Sequence, residues 1–191
     1  MPETNDMRAQ LLQEQDAVRV LLDQHQRILG LFAGVRAASG EARMGSLREL
    51  RALMVVHETS EQLVLRPVSA KLIGQEFVDR LTTVENEVTN LISHLEDVPP
   101  ELGQFTENLD ALEAQLLEHF YVEETEELPT ILEECPIEDR LQMGKRLLAA
   151  VKVLPTRSHP VIDEGGAAAT IAAAPLTSII DRVRDAIARE S

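Results

Sequence analysis

Tryptophan is absent, and one tyrosine and four phenylalanines hold the aromatic share to 3% of the 191 residues. Strands draw heavily on aromatic side chains. A chain so poor in them, and rich in Leu, Ala, Glu, Gln and Arg between its punctuation, is expected to be built of helices rather than sheets. Cysteine is nearly absent too. Cys135 stands alone, which excludes an intrachain disulfide, suits a reducing compartment, and reads as a helix-flanking residue ahead of Pro136. Basic residues are scarce, 18 against 33 acidic, for a formal charge of −15. That charge repels a polyanion at long range, so neither nucleic acid nor an anionic membrane surface is an expected partner. No apolar run approaches the roughly 18 uninterrupted residues of a membrane span. The start, MPETNDMRAQ, lacks the basic and apolar regions of a secretory signal. The expected location is the cytoplasm.

What is present is helical periodicity, on a length that suits one core with appendages. Residues 1–9 are polar and read as a flexible arm. Val18, Leu21, Leu22, Ile28, Leu29, Phe32 and Val35 form a first helical stripe, which ends at Ser39-Gly40. Ser46 with Glu49 makes a capping-box pattern for a second helix, which carries Leu47, Leu50, Met54, Val64 and Val68, is kinked at Pro67, and closes at Gly74. A third stripe, Val78, Leu81, Val88, Ile92 and Leu95, must stop before Pro99-Pro100, and a fourth, from Phe105 to Leu116, is expected to end at Leu128-Pro129. Four such helices with short connections specify an all-α, antiparallel, up-down-up-down four-helix bundle over residues 10–136. Residues 137–191 form a C-terminal extension with additional helices: one from Ile137, a Pro- and Ala-rich linker that includes His159, and an amphipathic segment carrying Leu176, Ile179, Ile180, Val183 and Ile187. That last helix must dock on the bundle or on a partner, another copy of the chain included.

The informative residues are polar ones on apolar stripes, since burying such a group is costly unless it is paired or binds something. His25 lies amid Leu21, Leu22, Ile28 and Leu29. His57 and Glu61 fall in the Leu50, Met54, Val64 stripe, Glu85 falls between Leu81 and Val88, and His119 with Glu123 extends the fourth stripe. Depth agrees. His25 stands about 15 residues before the first interhelical turn and His57 about 14 after it, roughly 20 Å each at 1.5 Å per residue. Glu61 and Glu85 flank Gly74 by about 13 and 11 residues, and Glu85 and His119 flank Glu101 by about 16 and 18. The same rotation argument turns His94, Glu58 and Glu124 away from the core, and the run after Glu123 to Glu127 reads as a solvated helix end. A lone histidine on an apolar face is ordinarily a hydrogen-bonded core residue. Two His-x-x-x-Glu pairs, with two further donors at the same depth, instead form the set that a pair of borderline metal ions requires: neutral nitrogen donors, and carboxylates able to bridge and to cancel charge.

His25 within Leu-Leu-Asp-Gln-His-Gln-Arg-Ile, His57-Glu-Thr-Ser-Glu61 before Arg66-Pro67, and His119-Phe-Tyr-Val-Glu123-Glu124 ahead of Leu128-Pro129 resemble the hemerythrin-like HHE cation-binding domain, over roughly residues 10 to 130. The resemblance implies two iron ions, oxo- or hydroxo-bridged: His25 and His57 on one, His119 and Glu85 on the other, Glu61 and Glu123 between them. The same donors suit manganese and zinc. Oxygen-carrying hemerythrins are expected to place His-x-x-x-His on the third helix, where this chain has Glu85 and Thr89, and Asp at the fifth place of the fourth-helix motif, where this chain has Glu at the fourth. Carboxylate replacement stabilises ferric iron and leaves coordination sites open. The expected function is therefore reaction with O2, peroxide or nitric oxide in oxidative-stress or iron-handling roles, with peroxide consumption or iron oxidation as the activity. A redox-responsive sensing module and a metal-free structural bundle are the alternatives.

Overall fold

The computed structural model describes residues 13–154 and 175–190. The expected arm at 1–9 and the linker containing His159 lie outside them. Among the described residues every regular element is helical. Four long helices, α1 (Ala17–Ala37), α2 (Gly40–Val64), α4 (Gln75–Glu96) and α5 (Gly103–Val122), form the four-helix bundle. Each touches its sequence neighbour, and α1 closes the ring against α5. Short pieces continue two of them: α3 (Arg66–Leu72) after α2, and a π-helical turn (Glu123–Glu127) followed by α6 (Leu128–Glu134) after α5. The extension supplies α7 (Ile137–Val151) and α8 (Leu176–Ala188). No helix of the described residues is long and apolar enough to cross a membrane.

Local chemistry explains the boundaries. The Asp16 carboxylate accepts from the Val18 amide at 3.0 Å and caps α1. Gly40 and Gly74 adopt φ of +53° and +128°, a region closed to most side chains, where the chain turns from α1 into α2 and from α3 into α4. Ser46 does not cap the second helix as its pattern suggested. The helix starts six residues earlier, at Gly40, and the Ser46 hydroxyl donates back to the Ala42 carbonyl at 3.2 Å. The kink at Pro67 is present as a break at Leu65, after which Pro67 sits in the first turn of α3, where no amide donor is missed.

The fourth helix does not end at Leu128-Pro129. The Leu128 amide bonds to the Glu123 carbonyl, five residues back, and this wider turn restarts the helix with Pro129 again in a first turn. The chain therefore runs on to Glu134.

The extension forms a second layer. α7 packs on α1 and α2, and α8 packs on α2 and α7, burying Ile179, Val183 and Ile187. The apolar face of the terminal helix is thus covered by this chain's own bundle. At Gly144 the backbones approach so closely that a Cβ would stand 1.8 Å from the Gln15 carbonyl oxygen. Beside it Arg140 donates to Asp16 at 2.9 Å, tying α7 to the cap of α1. Covered on one side by this layer and on the other by the bundle, α2 is buried at every residue from Arg51 to Glu61.

Candidate metal centre

All six residues singled out by the sequence are buried and meet in the bundle interior: His25 from α1, His57 and Glu61 from α2, Glu85 from α4, His119 from α5 and Glu123 from the π-helical turn. Donor atoms of His25, His57, Glu61 and Glu123 all lie within 4.8 Å of one another, and so do those of Glu58, Glu61, Glu85 and His119. Glu61 belongs to both groups. Glu123 links them as well, its Oε2 3.3 Å from His25 Nε2 and its Oε1 3.2 Å from His119 Nε2.

Two of the imidazoles are oriented from behind. His57 Nδ1 donates to Gln24 Oε1 at 2.8 Å, and His25 Nδ1 donates to Glu124 Oε1 at 2.8 Å. In the neutral imidazoles these bonds place the proton on Nδ1 and turn each Nε2 lone pair to the centre, as ligand histidines require. In the metal-free protein, against burial, Glu123 and Glu124 raise the His25 pKa above its ordinary value. The His25 ring also stacks on Phe120 at 3.9 Å with planes 7° apart, which holds the ring and excludes water from that wall.

Most of the donors facing inward are not satisfied by the protein. His25 Nε2, His57 Nε2, Glu61 Oε1 and Glu123 Oε2 make no hydrogen bond, and neither do both carboxylate oxygens of Glu58 and both ring nitrogens of His119. An unpartnered buried polar atom costs about 1–3 kcal/mol, so a set of converging orphans is explained by a group that binds there. Cations coordinated by these lone pairs satisfy them together, and the residues fit such ions.

Sequence reasoning missed four participants, Glu58, Glu127, Glu124 and Arg66. Glu58 was expected to leave the core, yet it is buried and joins Glu61, Glu85 and His119. Rotation by about 100° moves a side chain off one face, but between Arg51 and Glu61 α2 has no exposed residue for it to join. Glu127 was read as solvated and is fully buried, accepting from Ser69 Oγ at 2.5 Å and from Arg66. It stands four residues after Glu123, and that spacing was the available signal. Glu124 is half-exposed, as a residue rotated off the core should be, but reaches back to hold His25. Arg66 is buried in the centre, with Nη2 2.6 Å from Glu85, 2.5 Å from Glu123 and 3.2 Å from Glu61, and with Nη1 on Glu127.

Electrostatics follow from burial. Dehydration alone would lower His119, but the charges of the nearby Glu123 and Glu58 outweigh it and raise its pKa to about 9. Burial pushes Glu58 up to about 8. Burial, reinforced by the Glu123 carboxylate, holds Glu61 well above the ordinary carboxylate range. For Glu123 the His119 and Arg66 charges overcome burial and keep it well below that range. Burial, with the neighbouring His25, keeps His57 well below the ordinary imidazole value. Protons therefore neutralise part of the surplus carboxylate charge in the metal-free protein.

The sequence profile of the hemerythrin HHE cation-binding domain matches residues 16–131. The chain belongs to that family. A curated relative, an uncharacterized hemerythrin-like protein of Schizosaccharomyces pombe, is 27% identical over 135 residues, which cover 68% of this chain and 64% of the relative. The chain thus spans about two thirds of that protein's length. No solved structure matches. As an HHE domain the bundle is a cation-binding fold, and the matched residues contain every donor in the two groups.

Proposed function

We propose that the centre is a non-haem di-iron site that reacts with oxygen, peroxide or nitric oxide, in an oxidative-stress or iron-handling role in the cytoplasm. One observation carries the reading: two adjoining donor groups, joined through Glu61 and Glu123, in which every residue but Glu85 keeps a buried donor atom without a hydrogen bond. His25 and His57 would hold one ion, His119 with Glu85 and Glu58 the other, and Glu61 and Glu123 would lie between them. Charge supports a pair. Glu58, Glu61, Glu85, Glu123 and Glu127 are five buried carboxyls, which two divalent cations together with Arg66 would neutralise. Manganese and zinc accept the same donors, and the redox role is what favours iron.

Bound iron would supply the electron transfer. The protein's own contribution is to orient and to exclude. Gln24 and Glu124 set the imidazole tautomers, Phe120 seals one wall, and Arg66 draws Glu85, Glu123 and Glu127 into position. Glu58, neutral at pH 7 without metal, can release a proton when a cation arrives and accept it again on loss. Residues 10–136 are the unit that carries this site, and α7 and α8 of the extension brace α2 from behind.

Metal analysis and the optical spectrum of freshly purified protein test the proposal. Bound iron with ferric charge-transfer absorption, bleached by reduction and altered by nitric oxide or peroxide in stopped-flow mixing, is the expected result. Metal-free protein that takes up no iron, or bound iron inert to all three reagents, would overturn it.

A further inference from the structure

The two donor groups are not equivalent, and the difference lies in Arg66. In the group of His25, His57, Glu61 and Glu123, each residue keeps at least one donor atom without a hydrogen bond. In the group of Glu58, Glu61, Glu85 and His119, the Glu85 carboxylate is fully engaged. Its Oε1 accepts from Arg66 Nε at 3.0 Å and Nη2 at 2.6 Å, and its Oε2 accepts from Gln62 at 2.8 Å. The guanidinium also takes Glu61 Oε2, from the residue both groups share, and Glu123 Oε1, the oxygen 3.2 Å from His119 Nε2.

Arg66 cannot readily withdraw. Its side chain is 4% exposed, Pro67 follows it in the first turn of α3, and Glu127, held by Ser69, anchors its other nitrogen. Arginine stays charged under all ordinary conditions. A permanent cation therefore bonds Glu85, the shared Glu61 and the Glu123 oxygen nearest His119, so it occupies acceptor oxygens and repels an incoming ion on that side, while Glu123 Oε2, beside His25, stays free.

We propose that Arg66 makes the centre asymmetric, so that one divalent cation binds tightly between His25, His57, Glu61 and Glu123 while a second binds weakly between Glu58, Glu61, Glu85 and His119. Arg66 acts as a resident counter-cation for the weaker half. The centre then holds one or two ions according to supply, and the second ion exchanges with the surroundings. This inference rests on the metal-centre reading above.

The test is anaerobic addition of Fe2+ to the chelator-stripped full chain, followed by calorimetry, with native mass spectrometry to count ions. The wild type is expected to load in two steps at least tenfold apart in affinity, a gap of about 1.4 kcal/mol or more. Arg66→Gln should tighten the second step about tenfold or more and move the first by less than about threefold. Arg66→Lys, which keeps the charge, should leave the second step weak. The double variant Arg66→Gln/Glu127→Gln removes both members of the Arg66–Glu127 pair, so the comparison survives if the single variant misfolds by circular dichroism. Equal steps in the wild type, or a second step unchanged in the folded charge-removed variants, would overturn the inference while leaving the metal centre intact. Failure of the wild type to bind any Fe2+ would instead overturn the metal-centre reading, and this inference with it.

Discussion

Metal uptake by the stripped protein should tighten steeply between about pH 6 and pH 8, because the donors must first lose protons. His119, raised to about 9 by Glu123 and Glu58 against the opposing effect of burial, is protonated at neutral pH. So is Glu58, raised to about 8 by burial. Each unit between a pKa and the working pH costs about 1.4 kcal/mol. At pH 7 that is about 2.7 kcal/mol for His119 and about 1.4 for Glu58, together ~4 kcal/mol or nearly a thousandfold in affinity. The logarithm of the binding constant for a fully loaded site should rise with slope of at least about 2 per pH unit below pH 8. Glu61, also raised, adds to the slope. Chelator competition with Zn2+ across this range measures the slope, and calorimetry in buffers of different ionisation enthalpy counts the protons released. A slope below about 1, or no proton release, would refute the assignment of these protons to the metal donors.

Two further outcomes follow from the same structure. For the metal-free protein, the raised pKa values of His119 and Glu58 mean that the folded state binds protons more tightly than the unfolded chain. The His119 contribution is complete below about pH 6.5 and lost as pH rises through about 9, while Glu58 penalises the fold increasingly from about pH 4.5 to 8. Urea midpoints of stripped protein should therefore fall from pH 6 to pH 9, and metal should remove most of that fall. Gly144→Ala would place a methyl group 1.8 Å from the Gln15 carbonyl oxygen. Since that neighbour is backbone, α7 must shift, and a loss at or above the upper end of about 1–3 kcal/mol is expected in denaturant unfolding.

Most of the donor set was legible because it rests on local periodicity. His25, Glu85 and the pairs His57/Glu61 and His119/Glu123 interrupt apolar stripes, and their equal depth follows from rise per residue and the positions of the turns. Arg66, Glu58 and Glu127 were not read as part of the site. A charged side chain at a helix break or in an acidic run looks solvated until the elements that cover it are known. Glu58 faces inward because α1, α4, α7 and α8 all press on α2. Likewise the stop assigned at Pro129 ignored the π-helical turn, which is the means by which a proline enters a continuing helix.

By itself the sequence determined the helical class, the order and approximate length of the bundle helices, and the inward aim of six nitrogen and oxygen donors, since each of these is set by spacing along one chain. The tertiary structure alone decided that Arg66 stands among the acidic donors, that Gln24 and Glu124 orient two imidazoles, and that the extension closes over α2. Those are facts about which surfaces meet. Contacts between residues such as His25 and Glu124, 99 positions apart, depend on how whole helices pack, and no local pattern records them.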